Sequence, residues 1–489
     1  MSFHFQLYID GQFEAGVATF GSVNPATGDV WAQMPEARTD EVNRAVEAAS
    51  RALSDPAWAG ITASARGKLL YRLADLLEKA APRLAEIETN DTGKIIRETS
   101  SQIAYVAEYY RYYAGIADKI EGSHIPVDKP DMQVWLDRQP IGVVAAIVPW
   151  NSQLFLSAVK LGPALAAGCT VVLKASEEAP GPLLEFARVV HEAGFPPGVV
   201  NVITGFGTQC GAVLSSHPNV DKVAFTGGPE TAKHIVSNTS HNLAKVSLEL
   251  GGKSPFIVFA DTDIQSAVNA QVAAIFAASG QSCVAGSRLL IEESIKDRFL
   301  ALLVERVSRI RVGSPNDMAT EYGPLCTERQ LRNIESVVAS SLRQGAKVLA
   351  GGKAIERAGY YYAPTILDCA GVANADSITT ELFGPVLSVD TFATEQEAIE
   401  KANSTAYGLA AGIFTTNLTR AHRVSKRVRS GIVWINTYRA VSPLVPFGGF
   451  GLSGHGREGG FAAALEYTTT KSVWLRTSDD PINDPFVMR

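Results

Sequence analysis

Apolar runs alternate with helix-like stretches through the middle of the chain. Between residues 142 and 250, helical patterns separate apolar runs at residues 143–148, 170–173, 199–203, 220–225 and 246–250. Continuous apolar runs of this length are typical of strands that are buried on both faces, and crossover helices join strands that run in parallel. The pattern therefore predicts an α/β fold built on a parallel sheet.

A second alternation of the same kind follows, which predicts a second α/β domain. Its strand-like runs lie at residues 256–259, 289–291, 347–350, 386–392, 411–414 and 433–435. We expect the boundary between the two domains near Gly251-Gly252. Before the first sheet, residues 1–37 have the pattern of short strands and turns, and helical periodicity follows at residues 39–52, 64–79, 84–92 and 98–117.

Two β-rich segments belong to neither alternation. Residues 132–138 and 467–475 alternate in polarity and predict strands that leave the body of the protein. We expect them to pair with each other and with a second subunit, as a small oligomerisation arm. The predicted division is a first domain of residues 1–118 and 139–250, with 441–466 packed on it, a second of 251–440, and an arm of 119–138 and 467–489.

The composition and net charge of the chain limit the classes of partner that are expected. The chain has 489 residues, 46% hydrophobic and 19% charged, and a net charge of −6 without long runs of one sign. This balance is typical of a globular protein and favours neither a nucleic-acid nor an anionic-membrane partner. The longest apolar run, residues 141–150, is too short to cross a bilayer, and the first residues have no secretory pattern.

Five scattered cysteines without a CxxC pair predict neither a disulfide framework nor a structural zinc site. The histidines are equally dispersed, so no metal is expected. Free thiols survive in a reducing compartment, and we therefore expect a cytoplasmic protein.

Polar and glycine residues follow the predicted strands of the first sheet. Asn151, Lys174 with Glu177, the Thr226-Gly227-Gly228 turn and Glu249 all come at strand ends. Ligands bind at the carboxyl edge of an open parallel sheet, so these groups are predicted to share one site. Each also has an ordinary structural explanation: a helix N-cap, a solvated ion pair, a plain turn and a surface carboxylate.

Cys283 is the candidate nucleophile. It stands on a glycine-containing turn between a helix-like stretch, residues 270–279, and the apolar run 289–291. A lone cysteine is more often a small buried hydrophobe, so the turn by itself does not assign a reaction.

Seven motifs in one order resemble the aldehyde dehydrogenase superfamily, and the resemblance extends from Leu7 to Val473. The motifs are Pro149-Trp150-Asn151, Lys174 with Glu177, Phe225-Thr226-Gly227, Glu249-Leu250-Gly251-Gly252-Lys253, Gly280-Gln281-Ser282-Cys283 with Ala285-Gly286-Ser287-Arg288, Glu381-Leu382-Phe383-Gly384-Pro385 and Pro446-Phe447-Gly448-Gly449. The resemblance implies a Rossmann-like cofactor domain, a catalytic domain that carries the cysteine, and a homodimer or homotetramer.

The resemblance also implies a mechanism. Cys283 attacks the aldehyde as a thiolate, and the Asn151 amide with the Cys283 backbone N–H stabilises the oxyanion. After hydride transfer, Glu249 activates the water that hydrolyses the thioester. A glutamate at this position favours a free acid as product. A coenzyme A-acylating semialdehyde dehydrogenase and a catalytically silent binding member of the family remain as alternatives.

The cofactor implied is NAD, because Glu177, beside Lys174, would accept the ribose hydroxyls and repel a 2′-phosphate. NADP stays open as a second cofactor. The family often has a glycine where this chain has Ala232, which predicts a small adjustment of the pyrophosphate pocket. The residues implied in cofactor binding are Pro149, Trp150, Lys174, Glu177, Thr226, Gly227, Gly228, Leu250, Glu381 and Phe383.

Substrate specificity is carried by positions where the family varies. Gln153 and Phe155 are expected at the pocket entrance, and Ser282, Val284, Val441 and Phe447 are expected in its walls. Core packing is the alternative role for the two phenylalanines. Because none of these positions is an arginine, we expect an aromatic or medium-chain aliphatic aldehyde rather than a semialdehyde that bears a carboxylate.

Overall fold

The computed structural model describes residues 3–372 and 374–487. The strands of this part of the chain, β1 to β21 in order, are Phe3–His4, Leu7–Ile9, Gln12–Glu14, Ala18–Val23, Val30–Glu36, Ser123–Ile125, Met132–Pro140, Val143–Ile147, Thr170–Ala175, Val200–Thr204, Lys222–Thr226, Lys245–Glu249, Pro255–Val258, Arg288–Glu292, Lys347–Ala350, Thr365–Asp368, Val386–Phe392, Ala410–Phe414, Ile432–Ile435, Gly454–His455 and Thr468–Arg476.

The helices of the described residues, α1 to α15, are Thr39–Ser54, Pro56–Ala59, Ala63–Thr92, Ile96–Ile116, Gln153–Ala167, Gly181–Ala193, Ala212–Ser216, Pro229–Asn238, Ile264–Phe276, Lys296–Ser308, Glu328–Arg343, Asp376–Thr379, Glu395–Ala402, Leu418–Arg427 and Gly460–Glu466. A search of these residues finds no helix long and apolar enough to cross a membrane.

The first large sheet carries the strand ends that the sequence singled out. Its order is β20-β12-β11-β8-β9-β10-β2-β3, and the five strands from β12 to β10 are parallel. Strands β8 to β11 are buried along their whole length because helices cover both faces. The chain moves from β8 to β9 on one side and later to β11 on the other, which opens a crevice at their carboxyl ends.

The second large sheet has the order β15-β16-β17-β14-β13-β18-β19, and all its strands except β15 are parallel. The chain passes from one sheet to the other between Glu249 and Pro255. The sequence prediction did not include β16, Thr365–Asp368. This strand has only four residues, and the proline before it and the aspartate at its end leave an apolar run too short to recognise. The division into three domains at the stated boundaries stays a prediction.

The two β-rich segments outside the large sheets pair with each other, as predicted. β7 and β21 run antiparallel over nine residue pairs, from Met132 opposite Arg476 to Pro140 opposite Thr468, and β6 pairs with the other edge of β7. Strand β21 is an edge strand, and Trp474 and Leu475 on it are about half exposed. A separate small sheet, β1-β5-β4, forms near the amino terminus.

One helix differs from the sequence prediction. Residues 64–79 and 84–92, predicted as two helices, form the single 30-residue helix α3, which contains Pro82. Proline removes one backbone donor and disfavours a helix interior. Here the helix continues because Leu77 and Leu84, on either side of the proline, are both fully buried in the core. Tertiary packing outweighs the local preference.

Candidate active site

A cavity of about 1410 Å³ opens at the carboxyl ends of β8, β11 and β12. Asn151, Glu249 and Cys283, the three predicted catalytic residues, all line it. Asn151 and Glu249 come from the first sheet, whereas Cys283 comes from the second half of the chain. The fold therefore assembles the three side chains from positions that are far apart in sequence.

A left-handed turn brings Cys283 into the cavity. After α9 ends, Ala278, Ser279 and Gly280 have φ values of 52°, 54° and 74°. Alanine and serine rarely adopt this conformation, so surrounding contacts must hold them there. A Cβ on Gly280 would lie 2.3 Å from the backbone of Gly384, so this close approach requires glycine.

The environment of the Cys283 thiol disfavours the thiolate. Burial, together with the charges of Glu381 and Glu249, raises its pKa to about 12. Arg439 and a hydrogen bond from the Val284 N–H act in the opposite direction. The nucleophile is therefore held as a neutral thiol until a base removes its proton.

Two donors for an oxyanion lie next to the thiol. One Nδ2 hydrogen of Asn151 is donated to the Gln281 carbonyl over 3.0 Å, which fixes the orientation of the amide. Its second hydrogen, like the backbone N–H of Cys283, has no acceptor among the described residues. Fixed and unoccupied donors of this kind stabilise a developing negative charge without rearrangement.

Glu249 is a buried carboxylate without a hydrogen-bond partner among the described residues. Its side chain is 3% exposed, and both of its oxygens are buried. Burial raises its pKa well above the usual range, and the charge of Glu458 raises it further. A Cβ at Gly448 would lie 2.7 Å from Oε1, so glycine leaves room for the carboxylate. An unpaired buried carboxyl of raised pKa is a typical general base.

Behind Glu249 lies an ion pair that sequence reasoning missed. The Lys160 ammonium contacts the carboxylate of Glu458, and it also donates to Thr226 Oγ1 over 2.7 Å. Glu458 lines the cavity. A signal was present in the sequence, because Lys160 is the one charged residue within the apolar helix Gln153–Ala167. A buried lysine needs a partner or a function.

Most of the predicted cofactor residues line the same cavity. They are Pro149, Trp150, Thr226, Gly227, Gly228, Leu250, Glu381 and Phe383. Lys174 and Glu177 lie outside its lining, and they pair with each other at 3.3 Å. Glu177 is partly exposed and Lys174 is buried.

The groups around Gly228 and Glu381 fit a dinucleotide. There is open space within 4 Å of the position that a Cβ on Gly228 would take, immediately before the first turn of α8, where backbone N–H groups attract phosphates. Glu381 accepts the Gly252 N–H over 2.9 Å and can accept ribose hydroxyls with its remaining lone pairs. Ala232 is buried in α8, where its N–H is donated to the Gly228 carbonyl.

Five of the six predicted pocket residues also line the cavity: Phe155, Ser282, Val284, Val441 and Phe447. Gln153 was wrongly placed at the entrance. It is fully buried, it is not in the lining, and neither of its amide atoms has a hydrogen-bond partner among the described residues. As the first residue of α5 it turns into the protein. Tyr105, Tyr109 and Trp434, which the sequence did not single out, add aromatic surface to the cavity.

Arginines line the cavity at positions that the substrate prediction did not consider. Arg439 lines it close enough to the thiol to influence the pKa of Cys283. The sequence did not reveal this residue, because it follows β19 in an irregular segment that carries no periodic pattern.

The electrostatics of Cys283 predict how fast it is alkylated. With a pKa of about 12, its thiolate fraction and its reaction with iodoacetamide should rise roughly tenfold per pH unit between about pH 7 and about pH 9. Glu381 has a pKa of about 7, so its charge opposes ionisation of the thiol mainly above that pH. Glu381→Gln should therefore accelerate alkylation at about pH 9, measured by peptide mass spectrometry.

The matched control is Glu321→Gln, which removes another carboxylate of the cavity lining, because the carboxylates that raise the thiol pKa are Glu381 and Glu249. A rate that is already high and independent of pH near neutrality would contradict the neutral thiol.

Comparison with known proteins agrees with this geometry. The model of the aldehyde dehydrogenase family matches residues 13–473. The chain is 77% identical over 485 residues to (Z)-2-((N-methylformamido)methylene)-5-hydroxybutyrolactone dehydrogenase of Acinetobacter baylyi, covering 99% of both chains. It is 43% identical to the mitochondrial aldehyde dehydrogenase of Rattus norvegicus, covering 96% of this chain and 91% of the relative. The NAD+ complex of an aldehyde dehydrogenase from Bacillus cereus has a TM-score of 0.95, with 39% identity and 97% coverage of each chain. The chain belongs to the aldehyde dehydrogenase family.

Proposed function

We propose that this protein oxidises an aldehyde to the carboxylic acid with NAD. The observation that carries the proposal is the meeting of Cys283, Asn151 and Glu249 in one cavity. A thiol, an oxyanion donor and a general base are the three groups that this chemistry needs. The three residues come from separate elements, so chance alone does not explain why they share one cavity.

The first step adds Cys283 to the aldehyde. The thiol proton passes to a base, the Sγ–C bond forms, and the carbonyl π electrons move to the oxygen. The Asn151 amide and the Cys283 N–H stabilise that oxyanion. Because burial holds the thiol neutral, the step needs a base, and Glu249, a buried carboxylate of the same cavity with a raised pKa, is our candidate for it.

The hydride acceptor would be NAD bound in this cavity, and loss of the hydride would convert the tetrahedral adduct on Cys283 into a thioester. Glu381 and Phe383 would hold its nicotinamide ribose, and the Gly227-Gly228 turn would hold its pyrophosphate. The Lys174–Glu177 pair would hold the adenosine ribose, where the carboxylate disfavours a 2′-phosphate and hence NADP. The NAD+ complex of the Bacillus cereus relative supports this cofactor.

Hydrolysis of the thioester completes the cycle. Glu249 accepts a proton from water, the resulting hydroxide attacks the acyl carbon, and the C–S bond breaks to release the acid. The desolvated carboxylate is a stronger base than one in water. The Glu458 carboxylate, held by the Lys160 ammonium behind it, can take up the proton and return Glu249 to its basic form.

The relative that is 77% identical suggests the substrate. Its name describes a butyrolactone that bears a hydroxyl at position 5. Such a ring is the closed form of an aldehyde and a carboxylate, so its open form is a semialdehyde. We propose a substrate of this class. An aromatic or medium-chain aliphatic aldehyde is the second candidate, because Tyr105, Tyr109, Phe155 and Trp434 give the cavity an aromatic surface.

Two other functions are disfavoured. Transfer of the acyl group to coenzyme A needs no buried base beside the thioester, whereas Glu249 occupies that position. A silent binding protein needs neither the thiol nor its unoccupied oxyanion donors.

A panel of aldehydes, tested with NAD and with NADP, checks the proposed function. We expect NADH formation, a higher kcat/KM with NAD, and a free acid without added coenzyme A. Cys283→Ala should lose essentially all turnover, whereas Cys326→Ala, a buried cysteine outside the cavity lining, should keep it. Normal turnover by Cys283→Ala, or dependence of the product on coenzyme A, would overturn the proposal.

We further propose that the arm joins two copies of the chain. Strand β21 presents a free edge, and Trp474 and Leu475 expose apolar surface on it. Replacing both by serine should lower the molar mass measured by light scattering to about half of the wild-type value or less. Leu243→Ser, at an apolar residue that is 88% exposed elsewhere, is the control. An unchanged mass in the arm variant would contradict the role.

A further inference from the structure

We propose that Arg439 is the residue that binds the carboxylate of the substrate and selects the open semialdehyde over uncharged aldehydes. This inference rests on the proposed function and adds a specificity-determining residue to it. The sequence prediction disfavoured a carboxylate-bearing substrate because none of the six named pocket positions is an arginine; Arg439, at another position of the lining, removes that objection.

The guanidinium of Arg439 is held at one end and free at the other. Its Nη1 donates to the carbonyls of Ala273 and Ala277, over 3.1 and 3.3 Å, at the carboxyl end of α9. A cation is favoured at this end of a helix. Its Nη2 and Nε have no acceptor among the described residues. Because Arg439 lines the cavity, these N–H groups are available to a ligand.

The charge of Arg439 also lacks an internal counterion. Two other cations of the lining are paired with carboxylates: Lys94 with Glu88 at 2.8 Å, and Arg306 with Glu321 at 3.5 Å. Within residues 3–372 and 374–487, no carboxylate forms an ion pair with Arg439. Its effect on the pKa of the Cys283 thiol is that of a positive charge near the reacting sulfur.

Two further charged groups of the lining are already engaged. Glu98 accepts the Ala278 N–H over 3.0 Å, and Arg97, an exposed side chain, donates to the Thr320 carbonyl. Arg439 is therefore the half-buried cation of the lining that is available to a substrate anion near the Cys283 thiol.

The backbone that carries Arg439 is rigidly positioned. The Trp434 indole N–H donates to the Ala440 carbonyl over 2.9 Å, and the Tyr105 hydroxyl donates to the Val441 carbonyl over 3.1 Å. Arg439 itself has a left-handed φ of 62°, a conformation that costs free energy in any residue but glycine. Preorganised backbone of this kind supports a binding group whose position matters.

Arginine suits this ligand because its planar guanidinium offers parallel N–H donors to the two oxygens of a carboxylate. When the hydroxylactone opens, the hydroxyl loses its proton, the C–O bond of the ring breaks, and an aldehyde and a carboxylate form. The closed ring carries no carboxylate. Arg439 therefore favours the open form, whose aldehyde carbon is the group that Cys283 attacks.

The test compares 4-oxobutanoate with its uncharged methyl ester. The wild-type protein should prefer the free carboxylate, and Arg439→Gln should lower kcat/KM for it by roughly 10- to 100-fold while changing the value for the ester little. The loss should appear in KM rather than kcat, because the contact is present before and during the reaction. Arg439→Lys, which keeps the charge, should recover part of the preference.

Arg306→Gln is the matched control, since this arginine lines the same cavity but is paired with Glu321. A measurement on the wild-type protein alone gives a second readout: succinate should inhibit competitively, and its uncharged dimethyl ester should inhibit less. Equal losses on both substrates in Arg439→Gln, or equal inhibition by succinate and its dimethyl ester, would overturn the assignment. Absence of NADH with every aldehyde would instead overturn the proposed function.

Discussion

The cost of burying ionisable groups is the constraint on which this site depends. Cys283 and Glu249 share a cavity with Glu381, and burial raises the pKa of all three. None of the groups is neutralised by an ion pair among the described residues, so each is biased towards its uncharged form. This bias makes the Glu249 carboxylate a stronger base than one in water, and it disfavours the Cys283 thiolate.

Positive and negative side chains share the cavity lining. The carboxylates of Glu381 and Glu249 raise the pKa of the Cys283 thiol. Arg439 partly offsets their effect with its positive charge. One residue then serves two purposes, because the charge that recognises a substrate anion also moderates the cost of forming a thiolate.

The sequence predicted the parts of the fold that are encoded locally. Buried strands such as Val143–Ile147 are continuous apolar runs, and the residues after them fall at the carboxyl edge by topology alone. What it could not predict depends on contacts between distant segments. Pro82 indicates a helix end unless the packing of Leu77 and Leu84 is known. Gln153 turns into the protein, and Arg439 enters the cavity from an irregular segment. No periodic pattern of hydrophobic residues in the sequence indicates either orientation.

In the proposed mechanism the acyl group passes through Cys283 and leaves with the help of Glu249. Intact-protein and peptide mass spectrometry of Glu249→Gln, mixed with NAD and an aldehyde that the wild-type protein oxidises, tests this mechanism. We expect one NADH per site, formed more slowly than in the wild-type protein because the thiol must then lose its proton to solvent, followed by an acyl adduct that accumulates on the peptide containing Cys283. Steady turnover at the wild-type rate without an adduct would rule the mechanism out.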